Sequence, residues 1–147
     1  MDLARVGTDV EKVIATEEQL KNRIAELAAQ VDADYKDKNV LLVGVLKGAI
    51  MAMADLTRAM QSHIEMDWMA VSSYGSGTKS SGVVRILKDL DRDITGRHVL
   101  IVEDIVDSGL TLDTLHAKLL LKKPASLKVC TLIEKRCNRE GAIKPDY

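Results

Sequence analysis

Residues 98–112 read HVLIVEDIVDSGLTL, and the stretch changes character three times. His98–Val102 is an apolar run of the kind that forms a strand buried on both faces of a parallel sheet. Two acids, Glu103 and Asp104, follow at once. Asp107-Ser108-Gly109-Leu110-Thr111 then leads into Leu112, Leu115 and Leu119, whose spacing predicts a helix over 110–121. Backbone N–H groups at that helix start, with the Ser108 and Thr111 hydroxyls, form an anion cradle suited to a phosphate. Gly109 lets the backbone approach closely. The paired acids beside the cradle can accept hydrogen bonds from sugar hydroxyls or hold a divalent metal with its waters. No Walker lysine follows this glycine, which argues against a P-loop. The order suits a sugar phosphate. The plain alternative makes Asp107 or Ser108 a helix N-cap and the acids solvated strand ends. It explains each residue singly and leaves their conjunction unexplained.

The pattern on either side repeats the alternation of strand and helix. Residues 1–15 form a lead-in with one extended piece around Val10–Ile14. Thr16 and Gln19 make a capping box, and Leu20, Ile24, Leu27, Ala28 and Val31 follow at helical spacing. Val40–Leu46 reads as a second strand buried on both faces, ended by Lys47-Gly48. Ala49–Met60 reads as a helix. Ile64–Ser72 alternates as a strand, with Ile64, Met66, Trp68 and Ala70 on one face. Residues 72–82, SSYGSGTKSSG, are small, polar and glycine-rich, hence a loop. Strands are expected at Val83–Leu87 and Leu127–Ile133, with a turn at Ile94-Thr95-Gly96. The resulting expectation is a single α/β domain over 1–147: a twisted parallel sheet, Rossmann-like, flanked by helices on both faces. Ligands of such sheets bind at the carboxyl ends of the strands.

Composition narrows the functional classes. The 147 residues carry 21 Lys plus Arg against 22 Asp plus Glu, so no global field favours nucleic acid or an anionic membrane. No segment reaches the roughly 20 apolar residues of a membrane helix, and the first residues lack the apolar centre of a signal peptide. Cys130 and Cys137 have neither zinc spacing nor the numbers for a disulfide framework, and a reducing cytoplasm is expected. His63, His98 and His116 show no ligand spacing. The chain has no Phe, so an aliphatic, Met-assisted core is expected. Met51, Met53 and Met60 read as core filler. Glu134-Lys135-Arg136, with Arg139 and Glu140, reads as a solvated face of mixed sign.

VEDIVDSGLTL resembles the phosphoribosyl-pyrophosphate (PRPP) motif of the type I phosphoribosyltransferases. It is closer still to the hypoxanthine-guanine branch, where Glu-Asp, two apolar residues, Asp-Ser/Thr-Gly and Thr appear in that order. LLVGVLKGA at 41–49, AVSSYGSGTKSSGVVRILKDL at 70–90, CTLIEK and KPDY extend the resemblance over most of the chain. The resemblance implies transfer of a 5-phosphoribosyl group from PRPP to hypoxanthine or guanine, giving IMP or GMP and pyrophosphate. It implies that Leu46-Lys47-Gly48 receives the pyrophosphate, often through a cis peptide before the lysine. Ser73 and Tyr74 belong to a loop, about 72–82, that closes over the site. Glu103 and Asp104 contact ribose hydroxyls and Mg2+. Val106 joins the nucleotide site. Asp107 is the proposed general base near purine N7, and Ser108, Gly109, Leu110 and Thr111 hold the 5′-phosphate. Lys144 reads the purine 6-oxo group, and Tyr147 takes the aromatic position just after it. A homodimer or homotetramer is implied, with neither nucleic acid nor membrane as partner.

The family pattern continues past the position of Tyr147 with a strand carrying a base-stacking aromatic and an aspartate. The expectation is therefore a purine-binding hood shortened at 134–147. An alternative is a non-catalytic, minimal or engineered protein of the same fold that binds PRPP or a nucleotide without turnover.

Overall fold

The computed structural model describes residues 10–73, 84–135 and 140–147. Helix α1 (Glu17–Asp34) starts at the expected capping box: the Thr16 side chain accepts from the Gln19 N–H, and the Gln19 side chain accepts from the Thr16 N–H. Strand β1 (Val40–Leu46), helix α2 (Ala49–Ala59) and strand β2 (Ile64–Ser73) follow, then β3 (Val84–Lys88), β4 (His98–Val106), α3 (Leu110–Leu120) and β5 (Ser126–Glu134). The five strands lie in the order β3-β2-β1-β4-β5.

Strand β1 shows why the sheet is buried on both faces. Val40 and Leu42 point into a cluster with Leu27 and Val31 of α1 and Met53 and Leu56 of α2. Leu41, Val43 and Val45 point into the opposite cluster with Leu112, Leu115 and Leu119 of α3. This is the period-2 consequence of a continuous apolar run. Gly44 interrupts that run because a Cβ there would lie 2.4 Å from the Trp68 ring, which belongs to the paired residue on β2. Cys130 is buried in β5, and burial pushes its thiol up to about 11, so it is inert. Cys137, Arg136 and Arg139 lie outside the described residues.

Four expectations are corrected. The sheet is mixed, because β3 pairs antiparallel with β2. Only the ten residues 74–83 separate those two strands, and a parallel return needs a crossover of about a dozen or more. Residues 10–14 form no strand. Ile14 is 89% exposed, so no sheet edge receives it. Strand β4 does not end before the acids: its ladder with β5 carries on through Ile105↔Ile133 and Val106↔Glu134. Met51 is 68% exposed rather than core filler, whereas Met53 and Met60 are buried.

Candidate functional site

Chain direction creates the site. From β1 the chain crosses through α2 to β2 on one side, and from β4 it crosses through α3 to β5 on the other. The order reverses between β1 and β4, and at such a switch point the carboxyl ends leave a crevice. A cleft of about 250 Å³ lies there, walled by Leu46 and Gly48 after β1, by Glu103–Asp107 of β4 and its end, and by Ser108, Gly109 and Thr111 at the start of α3.

The start of α3 is built for an anion. Gly109 is its N-cap, with φ 87° in the left-handed region, and no side chain caps the helix. The first-turn amides are therefore not taken by a capping oxygen, in contrast to α1, and the dipole end faces the cleft. The opposite wall is close. A Cβ on Gly48 would sit 2.7 Å from an Asp104 carboxylate oxygen, so a larger residue there would push that carboxylate aside. The Leu46–Lys47 peptide bond is cis. Asp104 also accepts from the Ile105 N–H at 2.9 Å. Burial, and secondly the charge of Asp104, pushes the Glu103 carboxyl up to about 8.

Asp107 stands just past β4, where its carboxylate meets the Lys135 amine at 3.2 Å. Lys135 follows the end of β5, and its N–H donates to the Val106 carbonyl at 2.9 Å. Both side chains of the pair are about half exposed (48% and 55%). Such a pair contributes at most about 1 kcal/mol, so a ligand can take over both groups. Next to it, Ile105 and Ile133 pair across β4 and β5, each 41% exposed. Of these four, Asp107 and Ile105 line the cleft, with Lys135 paired to the first and Ile133 to the second.

The cleft wall brings together Gly48, Glu103, Asp104, Val106, Asp107, Ser108, Gly109 and Thr111. Lys47 is an exposed neighbour of Gly48, and Leu110 is the first residue of α3. Ser73 ends β2. Tyr74 and the rest of the expected loop through residue 82 lie outside the described residues. Lys144, like Lys135, is not among the residues that line the cleft. It is exposed, between Ile143, which packs against the α3-side core, and Asp146, whose N–H donates to the Val129 carbonyl midway down β5. Tyr147 turns away. Its ring packs on the α1-side core, and its hydroxyl donates to Asp34 and accepts from Lys128. Ile105 lines the cleft and Lys135 pairs with Asp107, and neither was singled out in the sequence. The signal was available for Lys135: it is the first residue after β5, and informative residues gather behind strand ends.

The phosphoribosyl transferase domain family matches residues 12–147. The chain is 55% identical over 133 residues to the hypoxanthine-guanine phosphoribosyltransferase of Mycobacterium tuberculosis (strain H37Rv), covering 86% of this chain and 66% of that protein. It is 47% identical over 139 residues to the Bacillus subtilis (strain 168) protein of the same name, covering 95% of this chain and 77% of the relative. A crystal structure of a hypoxanthine phosphoribosyltransferase from Staphylococcus aureus superposes with a TM-score of 0.93 at 40% identity, covering 97% of this chain and 78% of that one. The chain thus spans about two-thirds of the mycobacterial relative's length and more of the others. With the switch-point cleft and its uncapped helix start, these matches show that the chain belongs to the phosphoribosyl transferase domain family, in its hypoxanthine-guanine branch.

Proposed function

We propose that the chain transfers the 5-phosphoribosyl group of PRPP to N9 of hypoxanthine or guanine, releasing pyrophosphate and giving IMP or GMP, a purine-salvage reaction. The observation that carries this reading is the Asp107–Lys135 pair standing beside the uncapped start of α3. One end of the cleft suits a 5′-phosphate and the other a flat base with both an acidic N–H and an oxo group.

The residues divide the work. The amides at Gly109–Thr111, with the Ser108 and Thr111 hydroxyls, hold the 5′-phosphate. Gly48 leaves room for the pyrophosphate against the Asp104 wall, and Lys47 supplies a nearby cation. Glu103 and Asp104 accept from the ribose hydroxyls. As pyrophosphate departs, positive charge builds on the ribose ring, and the Asp104 carboxylate lies where it develops. Asp107 accepts the purine N7 proton while N9 forms the new bond to C1. Lys144 donates to the 6-oxo oxygen and so favours oxo over amino purines, and Lys135 holds the Asp107 carboxylate at the base end. Ile105 and Ile133 give the base an apolar surface. Ser73 ends β2, and its expected partner Tyr74 lies outside the described residues.

Mg2+ is part of the proposal. Among the described residues no cluster of three or more His, Cys, Asp or Glu forms a closed metal site. The two adjacent carboxylates fit instead an ion shared with substrate oxygens and water. When bound, Mg2+ supplies charge neutralisation of the pyrophosphate. A homodimer or homotetramer and a cytoplasmic setting belong to the same proposal. No helix among the described residues is long and apolar enough to cross a membrane. The enzyme names of the relatives give no support to the non-catalytic alternative.

Incubation with PRPP, Mg2+ and hypoxanthine, followed by absorbance, tests the reading. Nucleotide forms with the wild type, and Asp107→Asn lowers kcat by about a hundredfold or more, the range for loss of a general base. Well-folded wild type that binds PRPP and makes no nucleotide refutes it.

A further inference from the structure

Past residue 139 the chain is fastened to the cleft by contacts that the reaction leaves without a role. Four consecutive backbone amides donate to only two residues. Glu140 and Gly141 donate to the Ser108 carbonyl at 2.9 and 2.8 Å. Ala142 and Ile143 donate to the two carboxylate oxygens of Asp113 at 2.8 and 2.9 Å. Ser108 belongs to the cradle turn. Asp113 stands in the first turn of α3, and its own N–H bonds the Gly109 carbonyl at 2.9 Å. Gly141 is pressed against the same turn, since a Cβ on it would lie 2.7 Å from the Gly109 carbonyl carbon. Upstream, Lys135 is tied to Val106 and Asp107. The chain on the base side is thus anchored to residues 106–113 from both directions.

The place of Asp113 calls for an explanation. A carboxylate in the first turn of a helix stabilises that helix, yet it is a like charge near a site for phosphate. Here both oxygens are engaged by the amides of residues 142 and 143, a charge-assisted pair of bonds. The acid is oriented toward the returning segment rather than toward the ligand.

We propose that Asp113 is a positioning residue that couples the two halves of the site. It fastens residues 140–143, which lead directly into Lys144, to the helix turn that holds the 5′-phosphate, so phosphate occupancy and purine binding order the same stretch of chain and reinforce each other. This deepens the reading above and rests on it for the identity of the purine.

Backbone amide exchange tests the coupling without turnover, using ribose 5-phosphate as the probe. In the wild type, exchange at Ala142 and Ile143 slows when ribose 5-phosphate is added. In Asp113→Ala both amides exchange about tenfold faster or more and lose that response, while Asp113→Asn, with one acceptor oxygen left, falls between. In steady state, Asp113→Ala raises KM for hypoxanthine about tenfold with kcat within about twofold, as for lost binding rather than lost folded protein. A purely structural role instead lowers kcat and leaves KM unchanged. Exchange that responds to ribose 5-phosphate equally in wild type and both variants, or not at all in the wild type, overturns the proposal. If the wild type makes no nucleotide but its exchange responds through Asp113, the reaction reading fails and the coupling stands.

Discussion

Replacing Gly141 by alanine probes the junction between the phosphate turn and the segment that returns over it. The added methyl would lie 2.7 Å from the Gly109 carbonyl carbon and 2.8 Å from its oxygen, where ordinary contact begins at 3.4 Å. The obstacle is backbone, so no side chain can rotate out of the way. Gly109 is itself held in a left-handed conformation, φ 87°, as the N-cap of α3. The returning segment must therefore lift. The bonds at stake are those from the Glu140 and Gly141 amides to the Ser108 carbonyl. At about 1 kcal/mol for each neutral hydrogen bond the expected loss is about 2 kcal/mol, or roughly 4–8 °C in Tm for a chain of this size. Displacement of the cradle by a sizeable fraction of an ångström also disturbs the reacting geometry, where misplacement of about 1 Å costs up to a hundredfold in rate. Thermal denaturation and steady-state kinetics read the two effects. Gly96→Ala is the control. Its φ is +69° with nothing within 4 Å of the added atom, so it loses about 1 kcal/mol from backbone strain and keeps its kinetics. A Gly141→Ala protein with wild-type Tm and wild-type KM for PRPP refutes the reasoning.

Two further outcomes follow from the site. Lys144→Ala raises KM for hypoxanthine by about tenfold to a hundredfold, the value of a hydrogen bond from a charged donor, whereas Lys135→Ala changes it less; the reverse order would make Lys135 the base-reading cation. Glu103 governs a pH dependence of stability in metal-free buffer. Its folded pKa is raised from 4.5 to about 8, chiefly by burial. Between those values the folded chain holds a proton that the unfolded chain has released, so this group makes stability fall as pH rises across the window and adds no slope above it. Chemical denaturation of Glu103→Gln beside the wild type shows the slope reduced in the variant; parallel curves would mean that Glu103 is ordinarily ionised in the fold.

Much of the architecture was legible because its causes are local. Thr16 and Gln19 announce the start of α1 by themselves, and the run Val40–Leu46 announces a strand covered on both sides. The order of groups in residues 102–111 located the phosphate end of the cleft, since strand end, acids and helix start are consecutive in the chain. What escaped depends on distant partners. The antiparallel sense of β3 follows from how few residues separate it from β2, not from its own pattern. The strand β4 runs on through Glu103 and Asp104 because β5 supplies a ladder that the acids do not reveal. Lys135 sits in a mixed-charge run, and only the parallel register of β5 beside β4 brings it to Asp107. Tyr147 is carried along the side of the sheet, because its backbone pairs with Val129 and Thr131 of β5.

The central claim is that one cleft joins a 5-phosphoribosyl group to an oxo purine. The direct measurement is chromatographic identification of products after incubation with PRPP and Mg2+ and, in separate reactions, hypoxanthine, guanine or adenine, with pyrophosphate quantified in parallel. IMP and GMP form, each with one equivalent of pyrophosphate, and adenine stays unconverted. Pyrophosphate released without nucleotide, or adenine converted as readily as hypoxanthine, would contradict the claim.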